Sequence, residues 1–208
     1  VAIFHARAPK LIVFAMSIVT LCVWTSRSGR AQVYSPNQEI RIRDLPPLTA
    51  KSRNASDVLS ASLEIIFQDG KVCCGKNSAL EDSVQAADPK SLKDIANKLQ
   101  GRHLLSDGRP IMITADYLAP AAVNVSQLMN ALTEKHPLLM EWNSHLYVAY
   151  GIIFDHTLNQ DSSTMNAIHK ILLLDTRFSD ERREISFDRL TDDWGKVQGL
   201  VMFKAAAQ

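Results

Sequence analysis

Cysteine is scarce in this chain: three residues in 208, two of them adjacent, Cys73 and Cys74. The pair lies between Gln68-Asp69-Gly70, a turn signal, and residues 75–87, where Leu80 and Val84 stand four apart as on one helix face. A thiol at a turn-to-helix junction meets the partial positive charge of a helix N-terminus, which favours thiolate. A thiolate there is a candidate nucleophile, and it needs a histidine as base and a group that orients the imidazole. His145 opens the longest β-forming run of the chain, residues 145–154, and Asp175 closes the next apolar run, residues 171–174. If those runs are adjacent antiparallel strands, their His and Asp ends come together. Gln68, six residues before Cys74, is a candidate amide donor to an oxyanion, alongside the Cys74 backbone N–H. His169, at the start of the Asp175 run, is the rival base.

The elements that must position these groups divide into two parts. Residues 57–67 are apolar enough to be buried, with a period ambiguous between helix and strand. Asp88-Pro89 predicts a helix start, Leu92, Ile95, Ala96 and Leu99 give its apolar stripe, and Gly101 its end. A further helix is expected over residues 126–135, with Leu128, Met129 and Leu132 inward. Strands follow at 138–142, 145–154 and 171–174, then at 183–187 and 197–203, with a short helix at 188–194. Residues 155–168 are polar and read as a loop. With residues 101–125, they are the expected seat of specificity. Helices followed by strands predict an α+β fold with an antiparallel sheet.

The N-terminus stands apart from the rest. Arg7 and Lys10 precede an apolar run over residues 11–24, which is long enough for a signal-peptide core and short of the roughly 20 residues a membrane span needs. Gly29 and Ala31 are small residues two apart, so residues 1–31 read as an export signal cleaved after Ala31. An uncleaved anchor is the alternative. Residues 32–55, with Pro36, Pro46 and Pro47, read as a linker or extended lead-in, and residues 56–208 as the working domain. The whole chain carries 23 Lys plus Arg against 22 Asp plus Glu, a net +1, which gives no nucleic-acid signature. Four bases and no acid leave with the signal, turning the remainder slightly acidic. Cys22 leaves too, so no disulfide framework is expected. The expected location is periplasmic or extracellular.

Taken together, Gln68, then Cys74-Gly75 and a helix, resemble the opening of papain-like cysteine peptidases. The run CGKNSAL resembles most the double-glycine leader peptidases, the bacteriocin-processing branch. HPLLMEWNSHLYVAYG resembles the hairpin that presents the catalytic histidine, ILLLDTRF the strand whose terminal Asp orients it, and FDRLTDDWGKVQGLVMF the closing helix and strand. Asp175-Thr176-Arg177 is also similar to the Asp-x-Arg order of phytochelatin synthase, a papain-like transpeptidase. The resemblance spans residues 65–203. It implies a papain-like fold with a helix N-terminus packed on an antiparallel sheet. It also implies Cys74 as nucleophile, His145 as base, Asp175 as orienter and Gln68 as oxyanion donor, acting on a peptide or protein without cofactor or metal.

Lys76 and Thr176 stand where the leader peptidases usually carry Pro, and Cys73 is an extra thiol. A catalytically silent binding module on the same fold is therefore the second expectation. A redox protein using a strained Cys73–Cys74 disulfide is the third.

Overall fold

A computed structural model describes residues 32–45, 55–69, 91–104, 108–159, 161–178 and 181–207. The expected helix over 75–87, with Cys73 and Cys74, lies outside the described residues, as do the proposed signal and the Asp88-Pro89 helix start. The described elements are β1 (Val33–Arg41), α1 (Ala55–Asp69), α2 (Leu92–Leu99), β2 (Gly101–Leu104), β3 (Pro110–Leu118), α3 (Val125–Thr133), β4 (Leu138–Trp142), β5 (His145–Leu158), β6 (Thr164–Leu174), β7 (Arg182–Ser186), α4 (Asp192–Gly195) and β8 (Val197–Ala207). The α+β expectation holds at this level: helices with one antiparallel sheet.

The sheet has eight strands among the described residues, in the order β2-β3-β8-β4-β5-β6-β7, with β1 beside β5. Both faces are covered. Leu139, Val148, Tyr150, Leu172, Val201 and Phe203 pack with Leu59, Leu63 and Phe67 of α1 and with the Leu92, Ile95 and Leu99 stripe of α2. Leu138, Met140, Tyr147, Ile171, Leu173 and Leu200 pack on the other side with Leu128 and Leu132 of α3 and Trp194 of α4. Two buried faces explain why the central strands read as unbroken apolar runs rather than as alternation.

Several boundaries differ from the sequence expectation. The 57–67 run is helical and extends to take in Gln68 and Asp69, so that these residues close α1 instead of forming a turn. α2 starts three residues beyond Pro89. Its cap is Ser91, whose Oγ accepts from Asp94 N (3.2 Å) and donates to Asp94 Oδ2 (2.8 Å). Residues 101–125 contain β2 and β3 rather than one long loop. The supposed loop 155–168 is mostly strand, because β5 runs on to Leu158 and β6 begins at Thr164. Residues 33–41 of the expected linker form a strand that reaches β5, where Ile42 N donates to Tyr150 O at 2.9 Å. Gly151 permits this approach: a Cβ there would lie 2.8 Å from Ile40 O and 2.9 Å from Leu172 Cδ1.

The chain divides into two compact units, residues 35–156 with 166–208, and residues 1–34 with 157–165. In the smaller, the β5–β6 turn closes by Asn159 N donating to Ser163 O (2.9 Å), while Asp161 Oδ1 accepts from Ser163 N (2.8 Å) and Oγ (2.6 Å). The candidate site belongs to the larger unit.

Candidate functional site

Asn143 and Ser144 join β4 to β5 in a two-residue turn, both with positive φ (52° and 60°), the backbone twist that tight hairpins favour. Three bonds pin the hairpin end to α4 and the start of β8: Trp142 Nε1 to Asp193 O (3.0 Å), Asn143 N to Lys196 O (2.9 Å) and Ser144 N to Gln198 Oε1 (2.9 Å). His145 follows directly. It is exposed and stands opposite Trp142 in the β4–β5 ladder. Opposed residues share a sheet face, so His145 lies on the side of Trp142 and Tyr147, whose rings are 5.6 Å apart.

Asp175 follows β6 and is completely buried. Its carboxylate is held by Arg177, which donates from Nε to Oδ1 (2.8 Å), from Nη2 to Oδ2 (2.6 Å) and from its backbone N to Oδ1 (3.1 Å). Arg183 Nε lies 3.6 Å from Oδ2, is buried, and makes no hydrogen bond. Burial by itself would push the Asp175 carboxyl up. The Arg177 side-chain and backbone hydrogen bonds, with the charges of Arg177 and Arg183, outweigh it and hold the group below the usual carboxylate range. The bond from Asp175 in turn raises the Arg177 guanidinium further. Arg177 Nη2 also donates to Tyr147 Oη (3.1 Å), and its guanidinium lies 5.6 Å from the Tyr147 ring centroid.

Thr176 points to the α1 side. Its Oγ1 lies 3.1 Å from Ser62 Oγ and 3.3 Å from Val58 O, and Ser62 Oγ donates to the same carbonyl at 2.7 Å. The N-terminal half of α1 is thereby fixed at the Asp175 end of the sheet. Phe67 of α1 sits 5.7 Å from Phe203, beyond the far end of the β4–β8 pairing. From Val58 to Gln68 the helix advances about 15 Å.

The expected site residues therefore separate. His145 and Asp175 sit at the same end of the sheet, on the first residue of β5 and just past the last of β6. Among the described residues no hydrogen bond or ion pair joins them. Asp175 is committed to Arg177, and His145 presents an exposed ring. Gln68 lies in the last turn of α1, directly after Phe67, whose ring packs on Phe203. Cys74 lies outside the described residues. The rival His169 has a carboxylate partner, Asp155 Oδ2, at 2.9 Å, and Asp155 Oδ1 also accepts from Asn37 N (2.9 Å). His156 Nδ1 is 2.8 Å from Asn166 Oδ1.

Arg177 and Tyr147 were missed by sequence reasoning. Arg177 was visible only as part of Asp175-Thr176-Arg177, and Tyr147 only as one aromatic in a strand. A third omission is Glu141, a lone acid in the apolar strand LLMEW. Burial raises its carboxyl, and the Leu92 N–H at the start of α2 partly offsets this. Among the described residues no three His, Cys, Asp or Glu side chains are grouped to hold a metal ion, and no helix is long and apolar enough to cross a membrane. No protein-family model and no curated protein matches the chain.

Proposed function

We propose that the chain is a papain-like cysteine peptidase-type domain that hydrolyses or transfers a peptide bond, with Cys74 as nucleophile and His145 as base. The observation that supports it most is the placement of His145 at the first position of β5, on a pinned two-residue turn, at the sheet end where β6 delivers Asp175. The Cys74 thiolate attacks the carbonyl carbon, His145 passes its proton to the leaving amine, and water or a second amine releases the acyl group. The oxyanion is met by the Cys74 backbone N–H, with the Gln68 amide as the candidate second donor. Asp175 acts at second hand, by fixing Arg177 and Tyr147 beside the histidine strand. The apolar run over residues 11–24 supports export, to the periplasm or outside the cell, where the substrate is a peptide or protein.

The test is alkylation of the full chain with iodoacetamide. A nucleophilic Cys74 reacts with an apparent pKa well below about 8.5, and His145→Ala slows it at neutral pH while the circular dichroism is unchanged. Loss of labelling in Cys73→Ala with retention in Cys74→Ala would move the nucleophile by one residue. A second reading, a silent binding module on the same fold, is favoured by the Arg177 grip on Asp175, which takes up the carboxylate expected behind His145. Inert thiols in the native chain would select it.

A further inference from the structure

We propose that Arg177 is a recognition residue for a carboxylate, receiving the anionic group of a peptide bound beside His145. For the peptide nature of the ligand this rests on the function proposed above. The geometry of the guanidinium carries the rest. Nε and Nη2 are bound to Asp175, Nη2 also donates to Tyr147 Oη, and the plane is backed by the Tyr147 ring. Among the described residues the guanidinium's hydrogen bonds all come from Nε and Nη2, which leaves Nη1 outward, and the side chain is 24% exposed. The group is thus held in one orientation with one edge outward. Its rotamer entropy is already spent in the fold, which lowers the cost of binding a ligand there.

The local charge also fits. Arg177 and Arg183 both face the single Asp175 carboxylate, and Glu181 Oε1 answers Arg183 at 2.6 Å. Two guanidinium groups thus face two carboxylates, and Asp175 orients Arg177 through Nε and Nη2 while Nη1 stays on the outer side. Tyr147 links the guanidinium to the face that carries Trp142 and His145. The outward Nη1 donor and the exposed imidazole thus stand at one end of one sheet face.

Three small probes distinguish the sources of such a carboxylate. N-acetylalanine offers a terminal carboxylate, N-acetylaspartyl amide a side-chain carboxylate, and N-acetylalaninamide neither. Each is titrated into the full chain while the Arg177 Nε–H and His145 ring signals are followed by NMR. The expectation is saturable shifts with at least one of the acids and none with the amide. The tighter acid identifies the source. Arg177→Lys, which keeps the charge and loses the outward Nη1 donor, should weaken the binding about tenfold or more. Tyr147→Phe, which keeps the ring and frees Nη2, should weaken it about threefold. Equal binding of acid and amide, or no binding, overturns the proposal. So does unchanged affinity in Tyr147→Phe should Arg177→Lys fail to fold. Cys74 alkylation is read separately: inert thiols with carboxylate binding intact refute only the peptidase reading, and reactive Cys74 without carboxylate preference refutes only this one.

Discussion

Replacing Asp175 by Asn tests whether its carboxylate serves Arg177 or His145. The substitution keeps the shape and removes the charge. The remaining amide oxygen can still accept from Arg177 Nε and N, but the acceptor of the 2.6 Å bond from Nη2 becomes an NH2 donor facing a donor. It also leaves Arg183 Nε, already without a hydrogen bond, facing no anion. Breaking a buried pair costs roughly 3–5 kcal/mol, and the partial exposure of Arg177 lets water recover some of it. The expected loss is about 2–4 kcal/mol at pH 7, to be read from urea unfolding with an unchanged m-value. The pH dependence has a definite sign. The folded-state carboxyl is held below its unfolded value of about 3.9, so its stabilisation is complete above that pH and lost as pH falls through the folded value. The gap between wild type and Asp175→Asn should close in that acid range. A loss under about 1 kcal/mol at pH 7, together with slower Cys74 alkylation in the variant, would show that the carboxylate works for the histidine, and the assignment to Arg177 would be wrong.

Two further substitutions probe the frame around the site. Gly151→Ala places a methyl 2.8 Å from Ile40 O and 2.9 Å from Leu172 Cδ1; a cost of about 1–3 kcal/mol is expected, with hydrogen exchange accelerated first in β1. Glu141→Gln removes a carboxyl whose folded value is raised by burial, a group that destabilises as pH climbs above its unfolded value of about 4.3. The variant should gain up to about 1 kcal/mol at pH 7 after solvent screening, and the gain should vanish below about pH 4 in an unfolding series; a variant less stable at every pH would mean that capping of the Leu92 N–H dominates.

The parts of the fold that were legible in the sequence are those where one local signal decides. The Asn143-Ser144 pair between two β-forming runs fixes the ends of β4 and the start of β5, and the Leu92, Ile95, Ala96, Leu99 stripe fixes the buried face of α2. The residues of 155–168 misled because their polarity imitates a loop. In the structure those polar groups satisfy one another across β5 and β6, His156 with Asn166 and His169 with Asp155, so the ladder continues without apolar side chains. Gln68-Asp69 reads as a turn because Gly70 follows, while the helix behind it holds enough buried surface to absorb both residues. At the site, the His145 and Asp175 positions were legible as strand ends. Which partner the Asp175 carboxylate takes was not, because Arg177 lies two residues away and reaches it by a backbone turn that no periodicity announces.

β8 follows every other described strand in sequence, yet it lies between β3 and β4. Its Val197–Ala207 span pairs with β3 from Leu118 to Ile111 and with β4 from Trp142 to Leu138. Along the sheet, the β2-β3 pair and the β4-to-β7 meander therefore meet only through this strand. The consequence is one of timing. Both halves can form local hairpins while the chain is being made, but the sheet cannot close until the final strand arrives, through contacts of long sequence separation. Until then the strand edges of β3 and β4 stand open and available for wrong pairing. Closure of the sheet is thereby set by the arrival of β8, and a chain of this topology stays unlocked for as long as that strand is withheld.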